Sequence, residues 1–125
     1  MSKANICLIT YRNVPAGQHY SSEGLKLLSP RLKKLESLTL TLDEQREEAA
    51  QRAGKMSIQG VQVKLSAKLA VSEGRFKIVD RGGTYILKPA PAGYREVPEN
   101  EDLTMRLAQA AGIEVPLHGL VYAKD

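Results

Sequence analysis

The sequence contains one cysteine, no tryptophan, one phenylalanine and two histidines. A single cysteine excludes an internal disulfide, and Cys7, set between Ile6 and Leu8, reads as a small core hydrophobe rather than a reactive thiol. Cys7, His19 and His118 alone cannot assemble a zinc cluster, and no other metal centre is expected. Aromatic residues are scarce, at 5%, and none is interleaved with the basic ones, so stacking on bases is poorly supported and direct DNA binding is not expected. No apolar run approaches the ~18–20 residues of a membrane span. The short apolar stretch near the N-terminus is cut off by Tyr11, Arg12 and Asn13, too early for a signal peptide. It reads as a first strand, Asn5 to Tyr11, in a cytoplasmic protein.

What is present suits one domain, or one lobe of something larger: 125 residues, 42% hydrophobic and 26% charged. The net charge of +4 is unevenly spread. Residues 1–88 carry 15 Lys/Arg against 8 Asp/Glu, and residues 89–125 carry 3 against 6. A positive front part fits a polyphosphate ligand or a nucleic-acid surface.

The chain is organised around Met56 to Leu65, a short polar turn running into an alternating strand. From Val61 to Val71 the odd positions are Val, Val, Leu, Ala, Leu and Val, while Gln62, Lys64, Ser66 and Lys68 take the other face. Period-two patterning predicts a strand with one buried side. Ser57 and Gly60 precede it in a turn whose free N–H groups could meet an anion. The stretch suits either a phosphate-covering loop or an ordinary hairpin edge with a solvated lysine.

Upstream, Ser21 to Leu28 reads as a short amphipathic helix stopped by Pro30. Arg31, Lys33 and Lys34 form a solvated basic cluster, and Leu35, Leu38, Leu40 and Leu42 dock this arm on the body. Thr41 and Glu44 have capping-box spacing, which predicts a surface helix from Leu42 to Ala53. Downstream, turns at 72–74 and 80–83 predict a three-stranded antiparallel meander with strands at 75–79 and 84–88. Pro98 to Ala111 reads as a helix with acids in its first turn. Its buried face is expected at Leu103, Leu107, Ala110 and Ala111, with Glu101 at the margin, able to reach a partner. His118 to Tyr122 should begin another strand.

A glycine-containing turn, a strand-borne lysine and a helix-borne glutamate follow one another in the order of a kinase small lobe. Phosphoryl transfer uses such a lysine to neutralise nucleotide phosphates and such a glutamate to hold it extended. Neither G-x-x-x-x-G-K-[ST] nor G-x-G-x-x-G occurs, which disfavours P-loop NTPases and ordinary eukaryotic-type kinases.

Four stretches resemble the HipA-type bacterial serine/threonine kinase toxins: Ser57 to Leu65, Tyr85-Ile86-Leu87-Lys88-Pro89, Glu99-Asn100-Glu101 and Gly112 to Pro116. Cys7 to Thr10 and Tyr20 to Lys26 are most similar to the shorter HipT branch. The resemblance implies an α+β fold: a kinase small-lobe-like antiparallel sheet with one packed helix (about 98–111) and an N-terminal arm bearing short helices. The division would be an arm at 1–54 and a lobe core at 55–125. It implies a phosphate loop of Ser57, Ile58, Gln59, Gly60, Val61, Gln62 and Lys64, with Ser57 as its autophosphorylation site. Where HipT-like loops can carry a second serine, this chain has Gln59. Lys88 would be the nucleotide lysine and Glu101 its helix partner, with Glu99 and Asp102 as rivals that read instead as helix N-terminal charges.

The implied ligands are ATP and Mg²⁺. The implied partners are a C-terminal kinase lobe, a HipS-like small subunit, a HipB-like DNA-binding antitoxin and a protein substrate such as an aminoacyl-tRNA synthetase. None of Asp43, Asp80, Asp102 and Asp125 sits in a D-x-x-x-x-N or H-x-x-N setting. The catalytic Asp and Asn are therefore expected in a C-terminal lobe absent from this sequence, and no catalytic residue is assigned within it. Two other readings remain: a stand-alone lobe that regulates a partner kinase or antitoxin, and a basic nucleic-acid-binding domain.

Overall fold

The computed structural model describes residues 5–53, 64–91 and 93–124. Its elements in chain order are β1 (Asn5–Ile6), β2 (Asn13–Val14), α1 (Ser22–Leu28), α2 (Leu42–Ala53), β3 (Leu65–Ala70), β4 (Arg75–Ile78), β5 (Tyr85–Leu87) and α3 (Val97–Ala110). Among the described residues the strands form two antiparallel sheets, β1-β2 and β4-β3-β5, and the fold is α+β.

The first strand is shorter than the sequence pattern predicts. The backbone turns back at Cys7, where Cys7 N donates to Arg12 O (2.8 Å) and Tyr11 N donates to Cys7 O (2.7 Å). Tyr11 closes this turn with φ 63°, left-handed and uncommon for a bulky side chain. Cys7 itself is fully buried, as a core hydrophobe would be. Burial pushes its thiol up, but hydrogen bonds with Thr10 and Ser21 outweigh that and bring it down to about 7.

Both helices of the arm begin on side-chain caps. Ser21 Oγ accepts from Gly24 N (3.0 Å). Thr41 and Glu44 form the reciprocal capping box, with Thr41 N donating to Glu44 Oε1 (3.0 Å) and Glu44 N to Thr41 Oγ1 (3.2 Å). Ser21→Ala removes an N-cap acceptor and is expected to cost about 1 kcal/mol. A thermal melt should show Tm lowered by a few degrees; an unchanged Tm would mean that α1 is held by packing alone.

In β3 the odd positions are inward: Leu65 and Ala67 are buried, while Lys64, Ser66 and Lys68 are exposed. The sheet is not a meander. β3 is central, pairing Ala67 with Ile78 of β4 on one side and with Tyr85 of β5 on the other. Residues 79–84 therefore cross β3 instead of making a hairpin. Gly83 makes the crossing possible, because a Cβ there would lie 2.9 Å from Ser66 Cβ and 3.2 Å from Ala67 N.

Two apolar clusters hold the body. Cys7, Ile9, Val14, Tyr20, Leu25, Leu32 and Leu35 are joined by Leu69, Phe76 and Tyr122, so the arm and the sheet share one core. Leu65, Ala67 and Leu87 meet Ala49 of α2, which otherwise buries little besides Gln45.

The last stretch, 113–124, is irregular rather than the expected strand. It is tied by Leu120 N to Leu8 O (3.2 Å), by Leu38 N to Tyr122 O (2.9 Å) and by Tyr122 N to the Tyr20 hydroxyl (2.8 Å). With its bonds going to three separate partners, it builds no ladder with any one strand.

Candidate functional site

β5 pairs with β3 through Leu65–Leu87 and Ser66–Ile86. Opposed residues share a face, and faces alternate along a strand. One register step beyond Leu65–Leu87, Lys64 and Lys88 therefore fall on the face of Ser66 and Ile86. That face is open: Lys64 and Ser66 are exposed, and Ile86 is 63% exposed. Lys64, Ser66, Ile86 and Lys88 share this end of the face, and Lys68 continues it along β3.

Lys88 is held from two directions. Its chain continues into Ala90, which is buried and whose carbonyl accepts from Arg46 Nε of α2 (2.8 Å). Arg46 is itself oriented by Asp43 (2.8 Å). The Lys88 ammonium donates to Glu101 Oε1 of α3 at 2.6 Å. About a third to two-fifths of each side chain is exposed, so the pair adds at most ~1 kcal/mol to stability. Its effect is geometric: it directs the lysine towards α3.

Ser57, Ile58, Gln59, Gly60, Val61 and Gln62 lie outside the described residues. Lys64, Lys88 and Glu101 are described, and the structure brings the last two together. Glu99, exposed in the first turn of α3, has no ion pair among those described.

Asp102 is not the exposed helix-start charge that the sequence suggests. It is 4% exposed and is the one buried residue of α3. Its Oδ2 accepts from the Tyr11 hydroxyl (2.6 Å) and from Arg106 Nε (2.9 Å), and its Oδ1 meets His118 Nδ1 at 2.6 Å. An ionised carboxylate only accepts, so Nδ1 carries the proton towards it. Arg106 also donates to Ile9 O and lies 3.7 Å over the Tyr11 ring. Burial raises the Asp102 carboxyl, but the hydrogen bonds from Tyr11, Arg106 and His118 outweigh it and leave the group below its ordinary value. Burial and the bond to Asp102 push the Tyr11 phenol up.

The apolar stripe of α3 is likewise not buried as expected. Leu103 (49%) and Leu107 (63%) face solvent, and Ala110 and Ala111 are exposed. The helix docks by its polar side instead: Leu103 and Leu107 lie about 100° and 140° around the helix from the Asp102 hub.

The grooves of the described surface lie elsewhere. One of about 300 Å³ is lined by Leu38, Gln45, Arg52, Leu65, Phe76 and Leu87, on the inward face of the sheet, away from Lys88. Among the described residues no group of three His, Cys, Asp or Glu could hold a metal ion. Asp43, Asp80 and Asp102 are all engaged, by Arg46, by Arg52 and by the hub.

A sequence model of the HipA-like C-terminal domain matches residues 56–125, more than half of the chain and the part that holds β3, Lys88 and α3. The chain belongs to the HipA-like family. It is also 36% identical, over 121 residues, to a Haemophilus influenzae protein named "Putative kinase". That alignment covers 97% of this chain and 35% of the Haemophilus protein, so the chain spans about a third of this relative's length. The HipA-like match thus starts just ahead of the central strand and includes both partners of the ion pair. Among the described residues no helix is long and apolar enough to cross a membrane.

Proposed function

We propose that this chain is the ATP-binding small lobe of a HipA-type serine/threonine kinase, of the HipT branch, acting as the toxin of a toxin–antitoxin system. The observation that carries the nucleotide reading is the 2.6 Å pair of strand-end Lys88 with helix-borne Glu101, in a HipA-like chain similar to a protein named as a kinase. ATP–Mg²⁺ supplies the transferable phosphoryl group when bound. Lys88, with Lys64 beside it on the same open face, neutralises phosphate oxygens, and Glu101 keeps the lysine from folding back. Ile86, exposed on that face, offers an apolar surface for the base. The described carboxylates give no metal set, so metal ligation and the positioning of the acceptor hydroxyl are assigned to a C-terminal kinase lobe. The HipS-like, HipB-like and aminoacyl-tRNA synthetase partners stay with this proposal, supported by the sequence resemblance.

The test is titration with a fluorescent ATP analogue, comparing Lys88→Ala with Lys68→Ala. Both remove one positive charge, so a net-charge effect weakens both equally, whereas a nucleotide lysine weakens only the first. Equal losses overturn the assignment.

Ser57 is proposed as the autophosphorylated residue of the complete kinase. A phosphate adds about −1.5 to −2 charge next to the site for ATP's own phosphates, which opens the loop by repulsion. Mass spectrometry should find phosphate on Ser57; phosphate on Ser66 or Ser72 in its place contradicts the proposal.

A second reading, a non-catalytic lobe that docks on a partner kinase, is favoured by the solvent-facing Leu103 and Leu107 of α3. Nucleotide binding that is insensitive to Lys88→Ala would turn the balance towards it.

A further inference from the structure

Glu101 meets Lys88 only while α3 keeps one rotation about its own axis. Apolar burial does not set that rotation, since Leu103 and Leu107 face solvent. Among the described residues no other helix or strand comes close to the backbone of α3, so ridge-and-groove packing does not set it either. The residue next to Glu101 does. Asp102 is 4% exposed and takes contacts from three places: Tyr11 of the β1–β2 turn, Arg106 one helical turn on, and His118 of the irregular C-terminal stretch. Arg106 extends the attachment to Ile9 O and to the Tyr11 ring.

Consecutive helix residues are 100° apart, so any turn of α3 that takes Asp102 from its partners swings Glu101 away from Lys88 by the same angle. The β1–β2 turn is shaped for this contact. Tyr11 adopts the left-handed φ of 63° there, and its hydroxyl reaches across 91 positions of sequence to Asp102.

We propose that Asp102 is a positioning residue: clamped by Tyr11, Arg106 and His118, it fixes the rotation of α3 and so holds Glu101 on Lys88. The N-terminal hairpin thereby governs the lysine through Tyr11, although it lies outside the family match at 56–125. The consequence for nucleotide binding rests on the proposed role of Lys88; the mechanical coupling does not.

The test reads the ion pair directly. The 125-residue chain is treated briefly with an amine-acylating reagent, and labelling of each lysine is followed by mass spectrometry. Lys77, paired with Glu73 at 2.6 Å, is the internal reference. Glu101→Gln, Asp102→Asn and Tyr11→Phe should each raise Lys88 labelling about two- to fivefold relative to Lys77, the range expected for releasing a half-exposed ion pair. A merely structural loosening raises both lysines together and leaves the ratio unchanged. If Asp102→Asn unfolds the chain, Tyr11→Phe decides, because it keeps the ring under Arg106 and removes only the hydroxyl. A folded Tyr11→Phe chain with the wild-type Lys88:Lys77 ratio overturns the proposal, as does an unchanged ratio in Glu101→Gln. The ATP-analogue titration on the same variants separates the two readings. Raised Lys88 labelling with binding indifferent to Lys88→Ala leaves the clamp standing and removes the nucleotide role. Binding lost in Lys88→Ala, with labelling unmoved by Tyr11→Phe, does the reverse.

Discussion

Lys88→Ala, introduced into a complete kinase containing this segment, is expected to lower phosphotransfer by roughly 10²–10³-fold, the usual cost of removing one preorganised group that meets developing charge. The pair with Glu101 contributes little to folding, because both side chains are partly solvated. The variant should therefore melt within a degree or two of wild type while losing activity. Lys68→Ala is the control: Lys68 lies on the same exposed face of β3 but four residues along from Lys64, the position level with Lys88. Single-turnover rates with labelled ATP and an acceptor protein check this. Equal losses in the two variants would mean that general positive charge, and not a held lysine, is what matters.

Asp102→Leu should be the most damaging change to stability, about 3 kcal/mol at neutral pH, because it leaves Arg106 and His118 without their carboxylate and Tyr11 without an acceptor. The pH dependence follows from the sign of the shift. Asp102 titrates below its ordinary value of 3.8 in the folded chain, so its contribution is complete above that value and fades as pH falls through it towards the folded-state value. Urea melts of wild type and Asp102→Leu should differ most near neutrality and converge in strong acid. A gap of constant size across that range would show that lost packing volume, not the charged hub, accounts for the destabilisation.

The local elements were largely legible in the sequence. The alternation at 61–71 announces the inward face of β3, and Thr41 with Glu44 announces α2, because both signals depend only on near neighbours. Glu101 could be placed at the margin of its helix by angle, and Lys88 at a strand end by pattern. That they face each other depends on tertiary placement; the small-lobe order of turn, lysine and glutamate, together with the family resemblance, pointed to it. Strand order was not legible. Asp80-Arg81-Gly82-Gly83 has hairpin chemistry, and nothing local reveals that Gly83 is used to pass over Ser66. Asp102 was hidden for a related reason. An acid near a helix start satisfies the helix dipole, so its spacing gives no hint of Tyr11 and His118 waiting far away in sequence. The stripe of Leu103 and Leu107 misled in the same way, since periodicity identifies an apolar face without saying what covers it.

The same hub dictates the order in which the nascent chain can settle. Tyr11 finds its acceptor 91 positions later, and the Tyr20 hydroxyl meets a backbone amide 102 positions later. At about 5–20 residues per second, the amino-terminal hairpin waits some 5–20 s on the ribosome before Asp102 has even been synthesised. Until then Cys7, Ile9, Val14 and Tyr20 have only part of their shared core available, without Val121 and Tyr122 to close it. The hairpin is made before the residues that complete it, so it depends on co-translational protection until Tyr122 has emerged.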